Sequence, residues 1–375
     1  MIHYALDART ATDHFPGIGR TVSNLARALP AQLAADEQLI LLCDPSRPSR
    51  WQLPAPSEQV RWVETAVSPF SPSQQWQIPR LLREIHADLY HSPYYLMPYR
   101  PGVPTLLTFY DLIPQRFPHY VSPRARLLTN LLTRLALRAA GHVVAISEAT
   151  RQDMLAFYHT APEKVTAVPL AADPHFQPQP PAEVERIRAQ YNLPPAYVLY
   201  LGINKPHKNL VNLVLAWEKI VAELADPPQL VIAGAWDARY PEARETAVRR
   251  NLTANITFLG PVAEGDLPGL YSGARLFVFP SQYEGFGLPV IEAMACGTAV
   301  ACADASSLPE VGGDAAAYFD PTQPEAITAV LHHLLTDESA RQRCQTLGLE
   351  RAGTFSWAKT AVATLALYRR LAANG

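Results

Sequence analysis

Short apolar runs alternate with amphipathic stretches along the whole chain, and the alternation occurs twice. Strands interleaved with helices build parallel sheets from βαβ units. In the first half, residues 4–8, 39–44, 61–65, 89–91, 106–111, 143–147 and 165–168 are predicted strands. Helical patterns fall at 18–33, 74–85, 123–140 and 148–158. In the second half the predicted strands are 197–202, 230–234, 256–260, 276–280, 299–303 and 317–319, and helical patterns fall at 209–224, 242–252, 266–272 and 289–295. The strands read as continuous apolar runs, as expected when both sheet faces are covered.

The two runs are separated by a stretch carrying Pro169, Pro174, Pro178, Pro180, Pro181, Pro194 and Pro195, with one helical pattern at 182–191. Such a stretch reads as a connector between domains. The expectation is an α/β chain with two doubly wound domains, 1–172 and 196–355, joined by 173–195. The end of the chain is helical and strand-free, so it must pack on the sheets already made; 356–375 is its last helix. With 375 residues, 48% of them hydrophobic, there is core material for both domains. A net charge of −2 argues against wholesale nucleic-acid binding. Cys43, Cys296, Cys302 and Cys344 form no zinc-type spacing and read as buried thiols of a reducing compartment. No basic n-region with an apolar stretch opens the chain, and no run of about 18 apolar residues follows. A cytoplasmic protein is expected.

The densest segment is Leu276-Phe-Val-Phe-Pro-Ser-Gln-Tyr-Glu-Gly-Phe-Gly-Leu-Pro-Val-Ile-Glu-Ala-Met-Ala-Cys-Gly297. A strand ends, a loop holds Gly285 and Gly287, and a helix begins near Leu288 with Pro289 in its first turn. A loop entering a helix N-terminus offers backbone N–H groups and partial positive charge, which suits a phosphate or diphosphate. Glu284 and Glu292 flank it, and a carboxylate accepts the two hydroxyls of a ribose or hexose. Complementing the helix dipole is the plainer reading of Glu292. Lys205 and Lys208 are two of the five lysines of the chain and share one strand-to-helix loop. They are either phosphate ligands or solvated loop charges. Pro16-Gly-Ile-Gly-Arg20 follows the first strand but lacks the third glycine of a dinucleotide fingerprint, which argues against a dehydrogenase.

Together these residues resemble retaining glycosyltransferases of family 4, which have the GT-B fold. The most specific match is the E-x7-E pair Glu284 and Glu292, and Ser307-Leu-Pro-Glu-Val-Gly-Gly-Asp continues the family pattern. Leu6-Asp-Ala-Arg, Gly17-Ile-Gly-Arg, Phe109-Tyr-Asp-Leu-Ile-Pro, Val144-Ala-Ile-Ser-Glu and Phe355-Ser-Trp follow the family order. The resemblance implies two Rossmann-like domains facing across a cleft, with the last helix crossing back to the N-terminal one. It implies Glu284 at the donor sugar, Glu292 on ribose hydroxyls and Lys208 on the diphosphate. Backbone at Gly285, Phe286, Gly287 and Leu288 would hold the donor, and Gly17 and Gly19 would close over its phosphates. Ile203 stands where the family often has Arg, so neutralisation would lean on Lys208, with His207, Lys205 and Arg20 nearby. Tyr110-Asp111 replaces a frequent His-Asp pair, which transfers interest to Asp111 for acceptor contact, although Asp111 also suits a turn cap before Pro114.

The implied reaction is transfer of a hexose from a nucleoside-diphosphate sugar to a glycan or lipid-linked acceptor, with retention, and without a metal or other cofactor. The subgroup resemblance favours GDP-mannose. His91, Tyr94 and Tyr110 are expected on the acceptor side. The basic amphipathic stretch 123–140 either packs its apolar face on the core or lies on the inner face of the cell membrane. A nucleotide-sugar-binding protein without transfer, or a hydrolase using the two glutamates, are the alternatives.

Overall fold

The computed structural model describes residues 1–12, 16–44, 46, 50–120 and 122–374. The chain forms two compact units, Met1–Leu170 with Ser356–Gly375, and Ala171–Phe355. Unit 1 contains strands β1 (Ile2–Asp7), β2 (Glu37–Cys43), β3 (Val60–Glu64), β4 (Leu89–Ser92), β5 (Thr105–Phe109), β6 (His142–Ala145) and β7 (Val165–Ala167). Its helices begin with α1 (Pro16–Ala28), α2 (Gln74–Glu84), α3 (Ile113–Arg116), α4 (Pro123–Ala139) and α5 (Glu148–Tyr158). Unit 2 contains α6 (Pro181–Gln190), β8 (Tyr197–Leu201), α7 (Leu210–Glu223), β9 (Gln229–Ala233), α8 (Glu242–Arg249) and β10 (Ile256–Gly260). It continues through α9 (Leu267–Ser272), β11 (Leu276–Phe279), α10 (Leu288–Ala295), β12 (Val300–Ala303), α11 (Leu308–Gly312), β13 (Ala316–Phe319), α12 (Pro324–Thr336) and α13 (Glu338–Thr354). Helix α14 (Trp357–Ala373) returns to unit 1.

Both sheets are parallel and doubly wound. The strand orders are β3-β2-β1-β4-β5-β6-β7 and β10-β9-β8-β11-β12-β13. The order reverses beside β1 in one sheet and beside β8 in the other, where open α/β sheets place their ligands at the strand carboxyl ends. Leu39, Ile40, Leu41 and Leu42 of β2 are wholly buried, whereas the edge strand β3 exposes Arg61, Trp62 and Glu64. Interior strands are therefore continuously apolar, and the edge strand is not. The predicted first helix, 18–33, is shorter at its end. Helix α1 stops at Ala28 and a separate 3-10 turn, Pro30–Gln32, follows, because proline has no N–H for the helical ladder. Ser122, Ser147 and Ser356 cap α4, α5 and α14 by accepting the N–H groups of Ala125, Thr150 and Lys359.

Two charge clusters with buried carboxylates organise unit 1. The Asp7 carboxylate accepts two bonds from the Arg9 guanidinium, at 2.8 and 2.6 Å, and one from the Tyr90 hydroxyl at 2.6 Å. Arg9 also donates to the Val67 carbonyl at 2.8 Å, so the Leu6-Asp-Ala-Arg sequence ties the end of β1 to β4 and to the segment before α2. The second cluster fastens α14. Glu37, at the start of β2, accepts two bonds of 2.7 Å from Arg369, one from the Tyr4 hydroxyl and one from the Ala34 N–H. Tyr368 places its hydroxyl 2.6 Å from His91 Nδ1, and Thr360 donates to the Pro169 carbonyl.

Arg369 and the other donors hold the Glu37 carboxyl down at about 2, below the usual carboxylate range. A depressed carboxylate stabilises the fold above its unfolded pKa, about 4.3, and loses that contribution as pH falls toward 2. Glu37→Gln should cost about 2 kcal/mol at pH 7, and the difference from wild type should shrink between pH 4 and pH 2. Urea midpoints at both ends of that window check this. A difference independent of pH would show that charge does not fasten α14.

Candidate active site

The site on unit 2 begins where β8 ends. Gly202 and Gly234, just past β8 and β9, lie back to back, and a Cβ on Gly234 would stand 2.4 Å from the Gly202 carbonyl oxygen. Gly234 also has φ +122, so only glycine fits there without strain. After Gly202 the chain passes Lys205 and forms a 3-10 turn, Pro206–Lys208, before α7. The Gln282 N–H donates to the His207 carbonyl at 2.8 Å, which ties this loop to the one after β11.

That tie brings Lys208 to Glu284. Lys208 Nζ lies 2.5 Å from Glu284 Oε1, and the two side chains are 14% and 13% exposed. The buried Ser281 hydroxyl donates to the same carboxylate oxygen at 2.5 Å. The Lys208 ammonium also sits 5.2 Å from the centre of the Phe279 ring. The Glu284 carbonyl accepts from the Ser306 and Ser307 hydroxyls, and Ser307 donates to the Phe286 carbonyl at 2.7 Å. The loop carrying Gly285 is therefore braced from the far side by the segment after β12. Phe286 packs edge-on against Phe355, 5.9 Å between ring centres. Gly287 has φ +113 and a Cβ there would stand 2.8 Å from Leu308, so glycine is required where α10 begins at Leu288.

Glu292 lies in α10, only 2% exposed, and Oε2 accepts from the Tyr271 hydroxyl at 3.1 Å. The two glutamates therefore have separate holders, a lysine and serine for one and a tyrosine for the other. His207 is buried, and burial together with Lys208 and Lys205 pushes its imidazole down to about 3. It is neutral at ordinary pH, which leaves Lys208 and the half-buried Lys205 as the cations of this loop. Among the described residues no group of three or more His, Cys, Asp or Glu side chains could hold a metal ion.

On unit 1 the expected residues divide. Gly17 and Gly19 lie inside the first turns of α1, not in a loop before it, since Pro16 serves as a first-turn residue. Gly19 is needed for the closeness of Trp51, whose Nε1 would be 2.3 Å from a Cβ, whereas Gly17 has open space. Arg20 lies 5.7 Å from the centre of the same indole. Tyr110 follows β5, and its buried hydroxyl, beside the Thr21 side chain, meets no hydrogen-bond geometry among the described residues; burial drives its pKa upward. Asp111 accepts the Ile113 N–H at 3.0 Å and so caps the turn into α3. Tyr94 is half-buried against Tyr95, with 4.4 Å between ring centres. His91 corrects the expectation of an acceptor-side position. It is 1% exposed, with Nε2 on Thr108 and Nδ1 on Tyr368, and burial pushes it down to about 3. It is a neutral core group holding α14. Ser281, Ser306, Ser307 and Tyr271 have no role assigned from the sequence. Ser281 and Ser307 lie within the two quoted motifs, but their partners are set by folding.

A profile of Glycosyl transferases group 1 matches residues 183–351, and one of Glycosyltransferase Family 4 matches residues 16–176. O-antigen chain mannosyltransferase B of Escherichia coli is 32% identical over 292 residues, 77% of this chain and 76% of that protein. The serotype-specific mannosyltransferase WbdA of Escherichia coli is 32% identical over 239 residues, 62% of this chain but 29% of that longer protein. Among solved structures, a sucrose-phosphate synthase from Thermosynechococcus elongatus superimposes with a TM-score of 0.75 at 23% identity, covering all of both chains. HepE of Anabaena, in complex with UDP and glucose, gives 0.76 at 16% identity over 99% of this chain and 100% of that one. These likenesses establish the GT-B fold.

Gly287→Ala should destabilise the protein by about 1–3 kcal/mol, because it combines a left-handed backbone with the Leu308 contact. Gly17→Ala, in a helix with open space, should be neutral or stabilising by about 0.5–1 kcal/mol. Thermal midpoints distinguish them, and equal losses would contradict the assigned geometry.

Proposed function

The chain belongs to the family 4 glycosyltransferases, and we propose that it moves a mannosyl group from GDP-mannose to a hydroxyl of a glycan or lipid-linked glycan, with retention. The observation that carries this reading is the Lys208–Glu284 pair beside the glycine-bearing entry to α10. The mannosyltransferase relatives support the sugar. The bond from the anomeric carbon to the diphosphate breaks, a bond to the acceptor oxygen forms, and the acceptor proton leaves on the departing diphosphate. Negative charge grows on the diphosphate as positive charge grows on the sugar.

In this reading Lys208 leaves Glu284 and neutralises the diphosphate, together with the N–H groups and dipole at the start of α10. Glu284, released, accepts sugar hydroxyls, and its charge favours the oxocarbenium-like sugar. Ser281 keeps that carboxylate aimed while the lysine changes partner. Glu292 takes the ribose hydroxyls. On unit 1, Gly17 and Gly19 serve the donor phosphates, while Tyr94, Tyr110 and Asp111 serve the acceptor. The buried Tyr110 hydroxyl is a neutral donor, because its raised pKa excludes a phenolate near neutral pH.

The acceptor side includes peripheral contact with an anionic membrane through α4. This helix exposes Leu127, Leu128 and Leu131 and carries Arg124, Arg126, Arg134 and Arg138 without an acidic residue. Among the described residues no helix is long and apolar enough to cross a membrane.

A thermal-shift panel of nucleoside diphosphates and their sugars tests the donor. A ligand at 100 times its Kd adds about 2.7 kcal/mol of stability. GDP and GDP-mannose should shift wild type, and Glu292→Gln should weaken GDP about 10- to 100-fold. Lys208→Ala should lower kcat/KM about 100- to 1,000-fold. A shift with uridine or adenine nucleotides alone would overturn the GDP assignment, and near-normal turnover of Lys208→Ala would remove its role.

A further inference from the structure

We infer that Arg134, Arg138 and Lys164 form a pocket on unit 1 for the phosphate of an anionic lipid headgroup, a site that rests on the membrane reading of α4. Residues 124, 127, 131, 134 and 138 recur at helical spacing along one face of α4. From the N-terminal end that stripe reads Arg, Leu, Leu, Arg, Arg. Leu127 is 72% exposed and Leu131 53% exposed, with Leu128 beside them at 55%. The core-facing side of α4 is carried instead by Thr133, Ala136 and Leu137. The leucines therefore leave half or more of their surface outside the core and stand where an apolar phase would receive them.

A cavity of about 250 Å³ lies at the other end of the stripe. Arg134 and Arg138 line it from α4, with Tyr158, Thr160 and Lys164 opposite. Arg134 lies over the Tyr158 ring, 5.7 Å from its centre. Lys164 Nζ donates to the Leu137 carbonyl at 2.6 Å, and burial lowers its pKa. Among the described residues none of these three cations is in an ion pair, and no carboxylate lines the cavity. The negative end of the α4 dipole accounts for Arg138 and for the Lys164 bond to Leu137. It does not account for Arg134, a turn earlier, nor for the bare leucines. A phosphodiester meets all of these features together: the oxygens take the arginine and lysine donors, and the acyl chains begin where Leu127 and Leu131 are exposed. A soluble phosphate would have no use for the leucines.

The test is co-sedimentation of the full chain with phosphatidylcholine vesicles, with and without 30% phosphatidylglycerol. Arg134→Gln/Arg138→Gln removes two charges at the pocket, and Arg124→Gln/Arg126→Gln removes two at the opposite end of the helix. Thermal midpoints confirm that both variants fold. Wild type should bind only the anionic vesicles, and the pocket variant should lose at least tenfold more affinity than the control. Leu127→Ser/Leu131→Ser should weaken binding while leaving it salt-sensitive. Equal losses in the two arginine variants would overturn the pocket and leave the membrane reading standing, since diffuse attraction counts charges and not places. No binding of wild type to anionic vesicles would overturn both. If inorganic phosphate releases the protein more than chloride of equal ionic strength does, and protects the pocket from heat without vesicles, the lipid assignment falls.

Discussion

One carboxylate oxygen, Glu284 Oε1, takes both the Lys208 ammonium and the Ser281 hydroxyl at 2.5 Å. A largely buried ammonium and carboxylate at that distance neutralise one another, and a third donor keeps the carboxylate in place when the ammonium departs. The rest of unit 2 can be understood as what brings the pair together. The switch in strand order places β8 between β9 and β11, so the loops after β8 and β11 lie side by side. The backbone bond from Gln282 to His207 fixes their spacing, and Ser306 and Ser307 brace the second loop from behind. Neutral His207 contributes no charge, which leaves the lysine's charge undiluted by a second buried cation.

Unit 1 solves a different problem. Its buried carboxylates, Asp7 and Glu37, fasten the fold. Asp7 and Arg9 lock the end of β1, and Glu37 holds Arg369 across 332 residues of sequence. Such a clasp packs α14 against the sheet that the first strand begins, so the two ends of the chain stabilise each other. Burial raises the pKa of Tyr94 and Tyr110, so both stay neutral phenols near neutral pH.

The sheets were legible because strands buried on both faces leave unbroken apolar runs, and β2 and β12 are clear instances. The entry to α10 was legible because Gly287, Leu288 and Pro289 each answer a local backbone demand. What was hidden is long-range. Nothing near Glu37 announces Arg369, and nothing near Tyr271 announces Glu292, since these partners are created by packing. His91 misled for the same reason: in sequence it neighbours Tyr94 and Tyr95, yet β4 is buried along its whole length. The α4 leucines showed the converse, an apolar periodicity that periodicity alone could not assign to core or surface.

The central claim is that Glu284 occupies Lys208 until a diphosphate displaces it, and calorimetric titration of GDP into Glu284→Gln tests it most directly. Neutralising Glu284 frees the lysine and removes a nearby negative charge, so GDP should bind more tightly than to wild type, by about tenfold for about 1.4 kcal/mol. In the Lys208→Met/Glu284→Gln background that gain should vanish. Unchanged or weaker GDP binding by Glu284→Gln would contradict the exchange of partners and with it the account of the site.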